Sequence, residues 1–255
     1  MKLFKIIASL LLILGIFVLM FWAFTKAKNQ TCTGTSIIIN AQKESQLLTE
    51  SDISDTLKKY INEWEGKTIK EINLSTIKEI LAQENYIKSI DKLHFLGSKL
   101  QIEVTLYDIL LEIEPHIGKK FLLDTEGTYL PYSPKVNNDI ITATGFIPNT
   151  FHHKEMITSE NKELAALFSM ASLIKADSFY AALFHSLHIN DKQEITLYPS
   201  VGKHPVLFGT IEDAENKLKT MKYFYDEVLP YQNEDKYAQL DVRFKNRIVA
   251  TKTKS

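Results

Sequence analysis

The stretch LQIEVTL, residues 100–106, is the clearest β-strand pattern in the sequence. Apolar residues stand at positions 100, 102, 104 and 106, and polar residues stand at the three positions between them. Because successive side chains of a strand point to opposite faces, this alternation predicts one buried face and one solvated face. The strand therefore belongs to a sheet that is covered on one side.

The residues before this strand complete a small α+β module. A β-rich run at Ser36–Asn40 is followed by two segments with helical apolar spacing, which begin near Thr49 and near Asn73. An extended run over Ile87–Phe95 then leads to the strand at 100–106. We therefore predict a strand-helix-helix-strand-strand module over residues 36–106, with both helices on one face of its sheet.

The pattern after residue 106 is that of a second, β-rich module with flanking helices. Short apolar strands are separated by turns, a long amphipathic helix is predicted over Glu212–Leu229, and two strands close the chain at Tyr237–Phe244 and Arg247–Thr251. We assign residues 107–251 to this module and residues 252–255 to a short tail. The fold class predicted for the whole chain is α+β.

An uncharged apolar segment, IIASLLLILGIFVLMFWAF, occupies residues 6–24. A helix of this length is about 28 Å long, close to the roughly 30 Å of bilayer hydrocarbon. The alternative is a cleaved secretory signal, but the flank Phe24–Lys28 is a poor cleavage site. We expect a cytoplasmic tail at residues 1–5, a transmembrane helix at 6–24 and a linker at 25–35, with the remaining chain outside the cytosol.

The composition excludes some classes of partner and of covalent structure. The formal net charge is −1, and basic residues are not clustered, which argues against nucleic acid as a partner. A single cysteine, Cys32, permits no disulfide bond within the chain.

No motif in the sequence indicates an active site, a cofactor site or a metal site. The histidine pairs are His152 with His153 and His185 with His188, and neither is accompanied by a cysteine cluster or an HExxH motif. We therefore predict no catalytic, cofactor-binding or metal-binding residue. The alternative is a membrane-anchored envelope enzyme resembling a wall hydrolase, which requires these histidines to cluster with acidic residues in a cleft.

Five segments, in order behind one anchor, carry a resemblance to a known family: Gly66–Leu81, Ile87–Val104, Phe121–Gly127, Val206–Leu218 and Tyr237–Phe244. They resemble the FtsQ/DivIB bacterial cell-division proteins, whose first extracytoplasmic module is of the POTRA type. The family commonly has Arg-x-Pro after that module, whereas this chain has Tyr107–Leu111. The sequence therefore resembles a divergent member.

The resemblance implies a non-enzymatic, single-pass scaffold of the division machinery in the cell inner membrane at the septum. Such proteins hold the small partners FtsB and FtsL and help to control septal wall synthesis. The N-terminus would be cytoplasmic and the C-terminal domain periplasmic or extracytoplasmic. Because POTRA-like modules also serve in outer-membrane assembly and secretion, a partner in those processes is a second alternative.

By position, the resemblance places partner contacts on the closing strand pair. The expected contact residues are Tyr237, Arg243, Phe244, Asn246, Ile248 and Val249. Arg243 would offer a forked donor to a partner carboxylate, but on a regular strand Arg243 and Phe244 point to opposite faces, so both reach a partner only if the strand ends or bulges there. A strand pair at the end of a sheet would let a partner add a further strand, and deletion of residues 237–255 is expected to abolish capture without unfolding the rest.

Overall fold

The computed structural model divides the chain into two compact units, which are Met1–Ala41 with Leu48–Leu106, and Gln42–Leu47 with Tyr107–Ser255. The residues described are 2–28, 30–42, 47–60, 64, 67–137, 139–148, 153–158, 160–202, 204–229, 236–245 and 247–253.

The first unit begins with helix α1, Lys2–Lys28. Residues 6–24, for which we expected a transmembrane helix, lie within α1, and the side chains described from Leu10 to Phe24 are all exposed. Among the residues whose side chains the structure describes, which in α1 are residues 10–24, no helix is both long enough and apolar enough to cross a membrane. The helix continues beyond residue 24, and the first strand begins at Gly34, so little of the linker expected at residues 25–35 separates the two.

The rest of this unit follows the predicted order of strand, helix, helix, strand, strand. Its elements are β1 (Gly34–Asn40), α2 (Glu50–Tyr60), α3 (Leu74–Gln83), β2 (Ile87–Leu96) and β3 (Lys99–Leu106). The sheet order is β1-β3-β2, in which β1 is parallel to β3 and β2 is antiparallel to it. A 3₁₀ turn, Ile69–Glu71, precedes α3.

Local chemistry explains where these elements begin. Thr49 and Asp52 bond reciprocally at the start of α2, since the Thr49 N–H donates to the Asp52 carboxylate at 2.8 Å and the Asp52 N–H donates to Thr49 Oγ1 at 3.3 Å. Asn73 caps α3 by accepting from the Ser75 N–H at 2.9 Å. The even-numbered side chains of β3 are buried and the odd-numbered ones are not, as the alternation predicts.

In the described residues of the second unit there are one sheet of nine strands and three helices. The strands are β4 (Ile109–Pro115), β5 (Phe121–Asp124), β6 (Tyr129–Pro131), β7 (Ile141–Gly145), β8 (Phe184–Ile189), β9 (Ile195–Pro199), β10 (Val206–Gly209), β11 (Tyr237–Asp241) and β12 (Val249–Lys252). The helices are α4 (Lys162–Ala176), α5 (Ser178–Leu183) and α6 (Ala214–Glu227).

The order of the large sheet is β12-β11-β10-β9-β8-β7-β4-β5-β6. Apolar side chains of the three helices and of the strands form one buried core. Hydrophobic burial is roughly proportional to the apolar area removed from water, so this core is the main source of the unit's stability. The predicted α+β class, with a β-rich second module, is confirmed.

Candidate functional site

Strand β12 is an outer strand of the large sheet, and it pairs antiparallel with β11. Val249 lies opposite Asp241, and Ala250 lies opposite Leu240. The sheet order places no further strand beyond β12 in the described part of the chain. Backbone groups of β12 that do not bond to β11 are therefore the candidates for hydrogen bonds with a partner.

The hydrogen bonds of β11 define which of its backbone groups point toward β12. The N–H groups of Leu240 and Val242 donate to Pro205 and Leu207 carbonyls, each at 3.0 Å, so even-numbered residues face β10. Because backbone groups alternate sides along a strand, the odd-numbered residues Gln239 and Asp241 face β12.

The same alternation applies to β12. Val249 and Thr251 lie opposite the odd-numbered residues of β11 and therefore bond to that strand. The N–H of Thr253 agrees with this phase, because it donates at 2.9 Å to the carbonyl of the residue that precedes β11. The backbone N–H and C=O groups of Ala250 and Lys252 consequently point away from β11, toward the open side of the sheet.

The opposite edge of the large sheet is covered by the chain itself. Along β6, the Tyr129 N–H donates to the Glu155 carbonyl at 2.8 Å, and the Lys154 N–H donates to the Tyr129 carbonyl at 2.9 Å. The Ile157 N–H donates to the Gly127 carbonyl at 2.9 Å. Residues 154–157 thus satisfy the β6 edge, whereas β12 has no such cover among the described residues.

Arg243 lies two residues beyond Asp241, the last residue of β11, and its guanidinium is bonded within the chain. Its Nε donates to Asp241 Oδ1 at 3.0 Å, its Nη2 donates to Asp241 Oδ2 at 2.7 Å, and Glu194 lies 3.5 Å from Nη1. The side-chain hydrogen bonds from Arg243 hold the pKa of Asp241 below its ordinary value and raise the pKa of Arg243 itself. The fork that we expected a partner carboxylate to receive is therefore occupied by Asp241.

The closing strands are shorter than the sequence predicts, and this change places Arg243 and Phe244 on the surface together. The strand expected over Tyr237–Phe244 ends at Asp241, so the alternation of a regular strand does not apply to residues 243 and 244. Phe244 is 42% exposed, and the guanidinium of Arg247 lies 5.1 Å from the centre of its ring. The strand ending is thus the condition under which both side chains can reach a partner.

The other expected contact residues differ in exposure. Val249 is 45% exposed, on the same face as Asp241. Tyr237 and Ile248 are partly buried against the core, and the Tyr237 ring centre lies 5.5 Å from that of Phe224. Asn246 lies outside the described residues. Among the five described positions, Arg243, Phe244 and Val249 thus offer the most accessible surface.

A cleft that sequence reasoning missed lies beside Arg243 and Phe244. It has a volume of about 460 Å³ and is formed by the start of α6 and residues 242–245. Lys217 and Lys245 contribute positive charge, whereas Glu212 and Asp213 contribute negative charge. The Lys217 ammonium donates to the Thr210 carbonyl at 2.8 Å, and partial burial lowers its pKa. The cleft joins residues about 30 positions apart, so no local pattern indicates it.

A buried polar pair, also missed at the sequence level, lies between β10 and α6. His204 is fully buried, and its Nε2 lies 2.7 Å from the Tyr225 hydroxyl oxygen. Burial raises the pKa of Tyr225. Both groups are enclosed by the core, so this pair supports the position of α6 and does not offer a surface for binding.

The three described histidines among the four considered for an enzyme do not form one cluster. His185 and His188 lie on β8, and His188 Nδ1 is 3.0 Å from Thr144 Oγ1. His153 lies beside the segment that covers β6, and strands β7, β4 and β5 separate β8 from β6. His152 lies outside the described residues. In the part of the chain that the structure describes, no group of three or more His, Cys, Asp or Glu residues could hold a metal ion.

Two family models match the chain, and together they cover most of the two units. The model described as FtsQ/DivIB, C-terminal related, matches residues 115–251. The model described as a POTRA-like domain matches residues 30–105. None of the curated proteins matches the chain.

Proposed function

Since the chain belongs to the FtsQ/DivIB family, we propose that it is a bitopic scaffold of bacterial cell division that binds FtsB- and FtsL-type partners along β12. The predicted family is confirmed, and its members are division-associated scaffolds without catalytic activity. The POTRA-like match alone would also fit a partner in outer-membrane assembly or secretion. The match over residues 115–251 favours cell division, because it covers the sheet that ends in β12.

The observation that carries the partner site is the difference between the two ends of the large sheet. The β6 edge is satisfied by residues 154–157, whereas Ala250 and Lys252 of β12 direct backbone donors and acceptors outward. Unpaired backbone groups at an edge form a template for strand addition. A partner segment that adds there gains a ladder of hydrogen bonds without displacing any strand that the structure describes.

Side chains next to β12 define what kind of partner segment fits. Val249 and Thr251 share a face and would contact the side chains of an added strand, so an apolar residue suits the position beside Val249. Beyond the strand end, Phe244 is an exposed aromatic anchor of the kind that dominates binding energy at interfaces. Arg243 and Lys245 favour an acidic group in the partner, which would share or replace Asp241 at the guanidinium.

We further propose that α1 anchors the chain in the cell inner membrane at the septum, with residues 1–5 cytoplasmic. The uncharged run at residues 6–24 supports the anchor, as do the exposed apolar side chains from Leu10 to Phe24. A fluorescent fusion in dividing cells tests the location. A band at mid-cell is expected, and uniform labelling of the envelope would contradict the assignment to the septum.

Deletion of residues 237–255 does not separate loss of partner binding from loss of folding. Leu240 and Val242 are fully buried in the core, so the deletion would remove part of that core along with β12. The prediction that the truncated chain stays folded therefore conflicts with the structure.

Site-specific photocrosslinking tests the partner site in the intact chain. A photoreactive residue in place of Val249 is expected to form an adduct with the FtsB- or FtsL-type protein of the same cell. The matched control is Met156, which is 59% exposed beside the covered β6 edge. Adducts at position 156 with none at position 249 would refute the β12 site.

A further inference from the structure

An apolar pocket lies where the parallel strands β4 and β7 end. It has a volume of about 340 Å³ and is formed by His116, Ile117, Phe146, Ile147 and Pro148. Pro115, the last residue of β4, lies opposite Gly145, the last residue of β7, so the residues that follow them form one surface. Ile117 is 78% exposed and Phe146 is 61% exposed, so two large apolar side chains of the pocket face solvent.

Backbone hydrogen bonds hold the pocket in one shape. The His116 N–H donates to the Gly145 carbonyl and the Phe146 N–H donates to the Ile189 carbonyl, each at 2.8 Å. Gly145 has a φ of +116°, and a Cβ at this position would overlap the Ile189 carbonyl oxygen, so the turn into Phe146 requires glycine. Because a partner would not have to order this segment, contacts with the pocket carry little entropic cost.

The pocket shares one end of the large sheet with the proposed partner site. We call it the Gly145 end, where β4, β6, β7, β8, β10 and β11 finish and β5, β9 and β12 begin. The residues paired from strand to strand between the two sites are Gly145 with Ile189, Ile189 with Ile195, Ile195 with Gly209, Leu207 with Asp241, and Asp241 with Val249. Phe244, which follows β11, and Val249, which begins β12, therefore lie at the same end as the pocket.

Large apolar and aromatic side chains are concentrated at the Gly145 end. Among the described residues of the second unit, nine such side chains are exposed. Five of them belong to this end: Ile117, Tyr132, Phe146, Phe244 and Val249. Single exposed apolar side chains need no explanation, but their accumulation along one end of a sheet indicates an interaction surface.

Strand β12 alone offers too small a surface for a stable complex. It has four residues, and only Ala250 and Lys252 direct backbone groups outward. Stable interfaces bury about 800 Å² on each partner, which exceeds what one edge of such a short strand provides. A partner bound there therefore needs further contacts, and the exposed apolar side chains at the Gly145 end are available for them.

We propose that the pocket receives an apolar side chain of the same FtsB- or FtsL-type partner, from a segment that leaves the added strand and follows the Gly145 end. This inference names a second contact of the partner and rests on the proposed function. Six strand spacings of about 4.8 Å separate the added strand from β7, which gives about 29 Å. About nine extended residues or about 19 helical residues span this distance.

The lining of the pocket defines which side chain fits. In the described lining, only His116 carries a polar side chain. A charged group would lose hydration in the pocket without gaining an ion-pair partner, so a branched or aromatic apolar side chain is favoured. Such a contact, in which an apolar anchor fills a preformed pocket, is typical of the residues that dominate binding energy at interfaces.

Site-specific photocrosslinking tests the contact in cells that produce the full chain. A photoreactive residue in place of Phe146 is expected to form an adduct with the same protein that position 249 captures. The matched control is Tyr223, which is 67% exposed on α6 and lies nine residues beyond Ala214, away from the Gly145 end. An adduct at position 249 with none at position 146 would overturn the pocket contact and leave strand addition at β12 intact. The reverse result would support the pocket contact and contradict strand addition.

Affinity measurements provide the second test. The double substitution of Ile117→Ala with Phe146→Ala is expected to weaken binding of a purified FtsB–FtsL-type complex to the detergent-solubilised full chain by about tenfold. Thermal unfolding is expected to stay the same, because both side chains are largely exposed. Tyr223→Ala is expected to change neither quantity. Unchanged affinity of the double variant would overturn the proposal, as would a cross-link from position 146 to a different protein.

Discussion

Proline at position 250 separates partner binding from the stability of the chain. The N–H of Ala250 points away from β11, so Ala250→Pro removes a donor that no strand of the described chain uses. Proline is tolerated on edge strands where the missing N–H faces solvent. Because Ala250 is partly buried against the core, we expect the free energy of unfolding to change by about 1 kcal/mol, at or below the loss expected where the missing N–H is bonded to β11.

The loss of partner binding is larger. A strand added beside β12 would place a carbonyl opposite the Ala250 N–H, and proline leaves that carbonyl buried without a donor. An unsatisfied buried group costs about 1–3 kcal/mol, which corresponds to a roughly 5- to 150-fold weaker affinity. The pyrrolidine ring also occupies space that the added strand needs, so the upper part of this range is expected.

The assay is a fluorescence titration of the detergent-solubilised full chain with a purified FtsB–FtsL-type complex, together with thermal unfolding of each variant. Lys252→Pro is expected to behave like Ala250→Pro, because its N–H also faces outward. Thr251→Pro is the control for the opposite side of the strand, because the Thr251 N–H faces β11. Loss of this hydrogen bond is expected to lower the free energy of unfolding by about 1–3 kcal/mol.

The assignment of even-numbered residues of β12 to the open side gives two results that would contradict it. Normal affinity of both Ala250→Pro and Lys252→Pro would show that no partner strand adds at β12. Weaker binding by Thr251→Pro alone, with unchanged thermal unfolding, would show that the odd-numbered residues of β12, and not the even-numbered ones, face the partner.

Arg243→Ala is expected to lower stability by about 1 kcal/mol, because the ion pair with Asp241 is partly solvated. The pKa of Asp241 is depressed in the folded chain, so the contribution of the pair is present above its ordinary value of 3.8 and is lost as the pH falls below that value. Urea unfolding at pH 7 and at pH 3 should therefore show a difference between variant and unmodified chain that shrinks at the lower pH. Gly145→Ala is expected to prevent stable folding of the second unit, because a Cβ there overlaps the Ile189 carbonyl oxygen and φ is +116°. Gly97→Ala, at φ +62° in open space, should cost only about 1 kcal/mol, and equal thermal unfolding of the two variants would contradict the steric argument.

The local elements of the fold follow from local patterns. The capping residues of α2 and α3 and the alternation in β3 are visible in the sequence, because each depends on neighbours within a few residues. The order of elements in the first unit follows from the same signals. The family motifs lie on these elements, and the match over residues 115–251 agrees with them.

The end of β11 shows where local patterns fail. The alternation of apolar and polar residues continues through Phe244, yet the strand stops at Asp241. Val242 still contributes to the core, while Arg243 turns back to bond Asp241 and Phe244 is exposed. A period of two describes which way side chains would point on a strand, but it does not say how far a neighbouring strand continues to pair.

The sequence by itself determined the two-part order of the chain, the α+β class and the presence of a closing strand pair, because these depend on periodicity and turn chemistry along short segments. Only the tertiary structure decided that no described segment covers β12 while residues 154–157 cover β6, and that the guanidinium of Arg243 is held by Asp241. The physical reason is that a sheet edge is defined by which distant segments pair with it. Such pairing joins residues far apart in the chain, and no local pattern of residues encodes it.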